Sequence, residues 1–163
     1  MILDRRKVKP TEEEMQAYVR DVEDHKAKVR FLLDLVCKRL EKRSEVHDAS
    51  KYSPEEADVY AIYTPKFKDV KYGSDEYNAI LKEMDPALKH HLANNSHHPE
   101  YYNGGVNGMD LLDLIEMVCD WKAASQRRPD SNLLDSVEVS KKRFNLDDQL
   151  CDIITNTIKR YFL

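Results

Sequence analysis

At 163 residues the chain has the size of one domain around one core, and 41% hydrophobic with 34% charged residues and only 4 glycines describes an ordered, helical protein. A net charge of −4 argues against general nucleic-acid binding, which needs a basic field, and no apolar run approaches the ~20 residues of a membrane-spanning helix. The opening Met-Ile-Leu-Asp-Arg-Arg lacks the apolar core of a signal peptide. Cys37, Cys119 and Cys151 are far apart, odd in number and set among apolar neighbours, so buried free thiols in a reducing cytoplasm are expected.

Residues 1–10 are basic and end in Pro10, which reads as an arm. Thr11 and Glu14 frame a capping box, in which each side chain takes up the other residue's backbone N–H. A helix to about Arg43 follows. Met15, Tyr18, Val22, His25, Val29, Leu32, Val36 and Leu40 recur at steps of three and four, which predicts one inward face. An imidazole on such a face needs partners for its nitrogens, so His25 reads either as a hydrogen-bonded core histidine or as a ligand. Residues 44–53 form a connection carrying His47, Asp48 and Lys51. His followed directly by Asp offers a ring nitrogen and a carboxylate from one short piece of backbone, a pair that suits a divalent transition metal. The same dipeptide is also common in plain surface loops. Lys51 supplies a point charge for an anionic substrate, or is a solvated loop lysine. Ser53 to Glu56 reads as a second capping box with Pro54 at the first helical position, opening a short helix at about 54–63.

Thr64 to Gly73 is irregular, and Ser74 caps a helix running toward Asn94 that Pro86 kinks or restarts. Leu81, Met84, Leu88, His91 and Asn95 share a stripe, so His91 faces inward while His90 points about 100° away. Four of the 6 histidines fall between positions 90 and 98, a density that points to metal-ligand chemistry at His97 or His98, with a polar loop as the plainer reading. Gly104, Gly105 and Gly108 mark a turn, and Asn107 is the expected cap of a helix from Met109 to about Ser125. Its apolar face is Leu111, Leu112, Leu114, Ile115, Val118 and Trp121. Asp113, Met117, Asp120 and Ala124 border that face, and carboxylates beside a buried surface need a cation or hydrogen-bond donors. Arg127 and Arg128 sit in a loop. Helices at about 131–142 and 147–161 close the chain, the last with Leu150, Ile153, Ile154, Ile158 and Phe162 inward. The expected architecture is all-α: a single-domain helical bundle with its arm at 1–10, a metal-site core at 11–125 and C-terminal helices at 126–163.

The order His25, His47-Asp48, clustered histidines, then Asp120, on successive helices, resembles the HD-domain superfamily of metal-dependent phosphohydrolases. Residues 47–51, His-Asp-Ala-Ser-Lys, are similar to the His-Asp-x-Gly-Lys form of its phosphodiesterase branch. His97-His98-Pro99-Glu100 is similar to the paired histidines that serve a second metal there. The Gly-Tyr-Pro signature of that branch is absent, and His91 lies closer to His97 than its pattern has it. Across about residues 20–125 the pattern looks closest to an uncharacterised family of small phage and bacterial proteins with His-Asp-x-Ser-Lys, His-His-Pro-Glu-Tyr and Asp-Leu-Ile-Glu-Met motifs. The resemblance implies an HD-like helical bundle in which His25, His47, Asp48 and Asp120 hold an ion of Mn, Fe, Co, Ni or Zn. His91, His97 or His98 would serve a second ion, and His90, Asp113 and Glu100 are further candidates. It implies a phosphohydrolase acting on a nucleotide or other small phosphate ester through a metal-activated water, with Asp48 and Lys51 catalytic and Lys51, Arg127 and Arg128 neutralising phosphate charge. A di-iron oxygenase on the same fold and a non-catalytic metal- or nucleotide-binding module are the rival expectations. The expected partner is a small phosphorylated substrate, with no membrane and with a homo-oligomer left open.

Overall fold

The computed structural model describes residues 9–68, 70, 73–127 and 132–163. Among these the chain forms α-helices, short 3-10 turns and no strand, the all-α architecture that the low glycine content and the three-and-four spacing predict. Contacts divide it into two compact units, residues 1–42 and 43–163.

The described part of the first unit lies in α1 (Glu12–Val46), which starts at the predicted capping box. The Thr11 amide donates to Glu14 Oε2 at 2.7 Å, and the Glu14 amide donates to Thr11 Oγ1 at 3.2 Å. The expected inward face is not buried. No residue of α1 is buried, and Tyr18 is 63% and Phe31 69% exposed. Helical spacing fixes which side chains share a face; it does not supply the surface that covers them. His25 is exposed with the rest.

The second unit continues from Arg43 through the end of α1 and a 3-10 turn at Ala49–Tyr52 to α2 (Ala57–Tyr63), α3 (Asp75–Glu83), α4 (Asp85–Asn94), α5 (Leu111–Ser125), α6 (Leu133–Phe144) and α7 (Asp148–Tyr161). Its main core joins the last three helices. Met117 and Val118 of α5 pack with Leu133 and Val137 of α6, Leu146, and Cys151, Ile154 and Ile158 of α7. The loop between α6 and α7 is tightly specified. Asn145 takes the left-handed conformation (φ 52°) that ends α6, the Leu146 amide returns to the Lys141 carbonyl at 3.1 Å, and Asp147 caps α7. That closure seats Leu146 in the core. A second cluster, Val70, Ile80 and Met84, is covered by Val59, Tyr60, Tyr63, Phe67 and Tyr77.

Several local expectations shift. Helix α2 begins at Ala57, and Glu56, instead of closing a capping box, is fully buried. Pro86 restarts the chain as α4 after α3 ends at Glu83. Asp110, not Asn107, caps α5, with Asp113 completing a capping box. That box rotates α5 so that Asp113 and Met117 are buried while Leu111 and Ile115 are exposed. In α7, Ile153 faces out. All three cysteines are free, but Cys37 and Cys119 are exposed and only Cys151 is buried. No described helix is long and apolar enough to cross a membrane. The arm's residues 1–8, the first residue of the helix predicted at 131 and Arg128 lie outside the described residues.

Candidate metal centre

The end of α1 is set by Asp48, a non-glycine residue with φ 57° and ψ 18°. Aspartate is among the few residues that tolerate this left-handed region, at a cost of about 1–2 kcal/mol. The reversal leaves the His47 and Asp48 side chains together: His47 Nε2 is 3.6 Å from Asp48 Oδ2, and Asp120 Oδ1 of α5 is 3.8 Å from the same nitrogen. The 3-10 turn that follows sends Lys51 Nζ back onto Asp48 Oδ2 at 2.5 Å. It also places Ser50 Oγ 3.2 Å from His91 Nδ1 and 2.7 Å from Asn95 Nδ2.

The later histidines meet this turn from the other side. His91, in α4, and His97, in the loop after it, are both buried. Asn95 anchors the loop by donating to the His91 carbonyl at 2.7 Å. His91 Nε2 lies 3.3 Å and His97 Nε2 3.5 Å from Asp48 Oδ1, and His91 Nε2 lies 3.0 Å from His98 Nε2. Three groups of potential ligand atoms, each within 4.8 Å of one another, result: Asp48 with His91, His97 and His98; His47 with Asp48 and Asp120; and His47 with His97 and Glu116. Asp48 belongs to the first two.

Two carboxylates that sequence reasoning passed over orient these rings. Glu56 accepts from His91 Nδ1 at 3.0 Å and from His90 Nδ1 at 2.7 Å. Glu116 Oε1 accepts from His47 Nδ1 at 2.8 Å and lies 3.1 Å from His97 Nδ1. A carboxylate can only accept, so each holds the proton on Nδ1 and turns the Nε2 lone pair toward the cluster. Glu116 itself is held by Arg43 Nε at 2.6 Å; the same guanidinium bonds Asp113 Oδ1 and Ser96 Oγ. Glu116 was legible in principle. It stands three residues after Asp113 and four before Asp120, so α5 carries three carboxylates along one edge of its apolar face. Glu56 had no such signal, because its spacing from Ser53 already fitted a capping box.

The charge states follow from this packing. The Asp120 carboxylate contributes most to raising His47 to about 9; burial opposes it, and Glu116 and Asp48 add to it. Burial pushes the Asp48 carboxyl up, but the neighbouring His91 ring, the hydrogen bond from Lys51 and the charges of Lys51 and His47 hold it well below the usual range. Burial, reinforced by His97 and His91, lowers His98 to about 3, and burial followed by the charge of His47 lowers His97. His97 and His98, neutral beside a carboxylate that stays ionised, are in the protonation states a metal ion accepts, whereas His47, a cation in the metal-free protein, would have to release its Nε2 proton to bind one.

Among the described residues three buried side-chain atoms have no hydrogen-bond partner, Ser53 Oγ, Asp48 Oδ1 and His97 Nε2, and the last two face each other at 3.5 Å. An unmet buried polar atom costs about 1–3 kcal/mol. Two acceptor lone pairs cannot satisfy one another, and a cation between them satisfies both. The mixed nitrogen and oxygen donors fit a transition ion better than calcium.

The other expected residues have different surroundings. His25 belongs to none of these groups and is exposed. Asp113 is buried in a structural network, accepting from Arg43, Ser96, Tyr102 and the Asp110 amide. The network needs Gly108, where a Cβ would lie 2.7 Å from that of Tyr102. Glu100 pairs with Arg143 at 2.7 Å, and His90 is taken up by Glu56. Lys51 borders the cluster with its ammonium on Asp48, and Arg127 is exposed.

The chain belongs to a family of unknown function, DUF5662, which matches residues 14–160. No curated protein and no solved structure matches it.

Proposed function

We propose that the cluster at Asp48 holds one or two divalent transition-metal ions and that the protein is a metal-dependent phosphohydrolase for a nucleotide or other small phosphate ester. The observation that carries the metal reading is the facing pair of unsatisfied buried atoms, Asp48 Oδ1 and His97 Nε2. His91, His97 and His98 would hold one ion with Asp48 Oδ1, and His47 and Asp120 a second with Asp48 Oδ2. Such ions polarise a phosphoryl oxygen and lower the pKa of a water at neutral pH. The protein's own part is preorganisation. Glu56 and Glu116 fix the ring tautomers, Arg43 fixes Glu116, and the turn at Asp48 directs its two oxygens to different partners. Lys51, at the edge of the cluster, is placed to meet an anionic phosphate oxygen. The order His-Asp, clustered histidines, Asp120 supports the resemblance to HD-domain phosphohydrolases without His25.

Metal analysis of untagged protein, with phosphate release from nucleoside mono- and triphosphates across Mn, Fe, Co, Ni and Zn, tests the proposal. Bound transition metal and metal-dependent release are expected. Metal below about a tenth of an equivalent, with no activation by added Mn or Co, overturns it. Four imidazoles beside two carboxylates also suit iron, so oxygen consumption without phosphate release would move the assignment to an oxygenase. Nucleotide binding without turnover with any of the metals would make it a binding module.

A further inference from the structure

We infer that residues 12–42 of α1 form a homodimer interface, pairing antiparallel with the same helix of a second copy of this chain. The first observation is the apolar face. Nine large apolar side chains between Met15 and Val36 are at least 40% exposed, Tyr18, Phe31, Leu32 and Leu33 most of all. A lone helix cannot bury its own stripe. Met15, Tyr18, Val22, His25, Val29, Leu32 and Val36 alternate steps of three and four without a break, the 3.5-residue period at which two helices stay in register along a seam. The segment runs about 46 Å at ~1.5 Å per residue. Its seam and flanking side chains offer roughly the ~800 Å² per partner of a standard stable interface.

Charge identifies the occupant and its direction. From Glu12 to Asp24 the helix carries Glu12, Glu13, Glu14, Asp21, Glu23 and Asp24 against Arg20 alone. From Lys26 to Lys42 it carries Lys26, Lys28, Arg30, Lys38, Arg39 and Lys42 against Asp34 and Glu41. The change of sign falls at His25. Two such helices laid parallel set acidic half on acidic half and basic on basic. Laid antiparallel, each acidic half meets a basic half, and a twofold axis makes the two contacts equivalent. Seam positions then pair Val22 with the second copy's Leu32, and Tyr18 with its Val36, while Glu14 comes opposite its Lys42.

The inference does not depend on the metal centre, and its test reads mass. Sedimentation equilibrium of the full chain at tens of micromolar is expected to give a dimer. Leu32→Glu on the seam should give a monomer with unchanged metal content. Because that change also touches the helix, a milder pair is run beside it. Reversing Glu12, Glu13 and Glu14 to Lys should weaken the dimer at least tenfold, and also reversing Lys38, Arg39 and Lys42 to Glu should restore it. Direction is read by crosslinking: in a background with Cys37→Ser and Cys119→Ser, which removes both exposed thiols, Glu14→Cys protein mixed with Lys42→Cys protein should form a disulfide across the two chains, and Glu14→Cys protein alone should not. A monomeric wild type overturns the inference and means that the chain covers this face itself. A dimer indifferent to Leu32→Glu and to the charge reversals overturns it too. Crosslinking of Glu14→Cys protein with itself overturns the antiparallel direction.

Discussion

Residues 12–42 of α1 and the helices α4 and α5 carry the same three-and-four spacing of apolar residues, each interrupted by an ionisable side chain, yet their fates differ. In α1 the stripe stays exposed and His25 with it. In α4 and α5, Ala87, His91, Asp113 and Met117 are all buried. The ionisable groups there come with partners from elsewhere in the chain: Glu56 on His91, and Arg43, Ser96 and Tyr102 on Asp113. A period of 3.6 residues selects a face. Only a partner for each polar atom allows that face to be buried, because a buried imidazole or carboxylate left unpaired costs as much as the surrounding apolar contacts return. Where two buried polar atoms are unpaired and face each other, as at Asp48 Oδ1 and His97 Nε2, a cation could serve both.

The comparison breaks most completely at Asp48, which belongs to two of the three ligand groups. Asn in its place retains tolerance of the left-handed turn and nearly the same shape, but removes the charge. Asp48→Asn is therefore expected to lower metal affinity by on the order of 100-fold or more with an unchanged helical circular dichroism spectrum. Chelator competition measures it, and an affinity within a few-fold of wild type would remove Asp48 from the centre. The orienting carboxylates come next. Glu116→Gln leaves two rings and Arg43 with a weaker partner and should cost roughly 10–100-fold in metal affinity, with Glu56→Gln, which orients one buried ring of the cluster, near the lower end. Equal affinities for both variants and wild type would mean that ring orientation is set by packing alone.

How far the sequence carried this picture depends on what each residue needed to be recognised. The capping box at Thr11, the cap at Ser74 and the inward register of His91 follow from local rules, and each stands in the structure. His47, Asp48, His91, His97, His98 and Asp120 were legible as donors by residue type and order, and the fold groups them. Glu116 was hidden among the hydrophobic residues of α5, although its spacing to Asp113 and Asp120 marked it. Glu56 was hidden by an alternative local role. Neither the exposure of His25 nor the structural duty of Asp113 follows from spacing, since both turn on which distant side chains come near, as Arg43 does to Asp113 across 70 positions of sequence.

A smaller effect separates the charge states at the two ends of the cluster. His47 in the metal-free protein is raised to about 9, above its ordinary 6.5. The protonated ring is thus favoured by the fold, and this contribution is complete below pH 6.5 and lost as pH rises toward 9. His98 behaves in the opposite sense: lowered to about 3 by burial, it stays neutral while the unfolded chain takes up a proton below pH 6.5, so stability also falls on the acid side. Metal-free protein should be most stable near pH 6.5, and urea unfolding should show a decline of about 1–2 kcal/mol between pH 6.5 and 9. His47→Gln should flatten the alkaline limb and leave the acid limb in place. A wild-type alkaline limb already flat would mean that His47 is not held as a cation.

The smallest expected effect is the sharpest discriminator. His25→Ala should leave metal affinity within about twofold of wild type, because no group of potential ligands includes His25 and its side chain is exposed. The family resemblance predicts the reverse, since it makes the histidine on the first long helix a ligand, whose loss would cost far more than an orienting carboxylate. The two outcomes are separated by at least tenfold in one chelator titration. The variant also reads the first unit independently. His25 occupies the apolar seam at the point where the helix changes sign of charge, so alanine there should alter the dimerisation constant while the metal constant stays fixed. Movement of both constants together would mean that α1 contributes to the centre, and that one surface serves metal and partner alike.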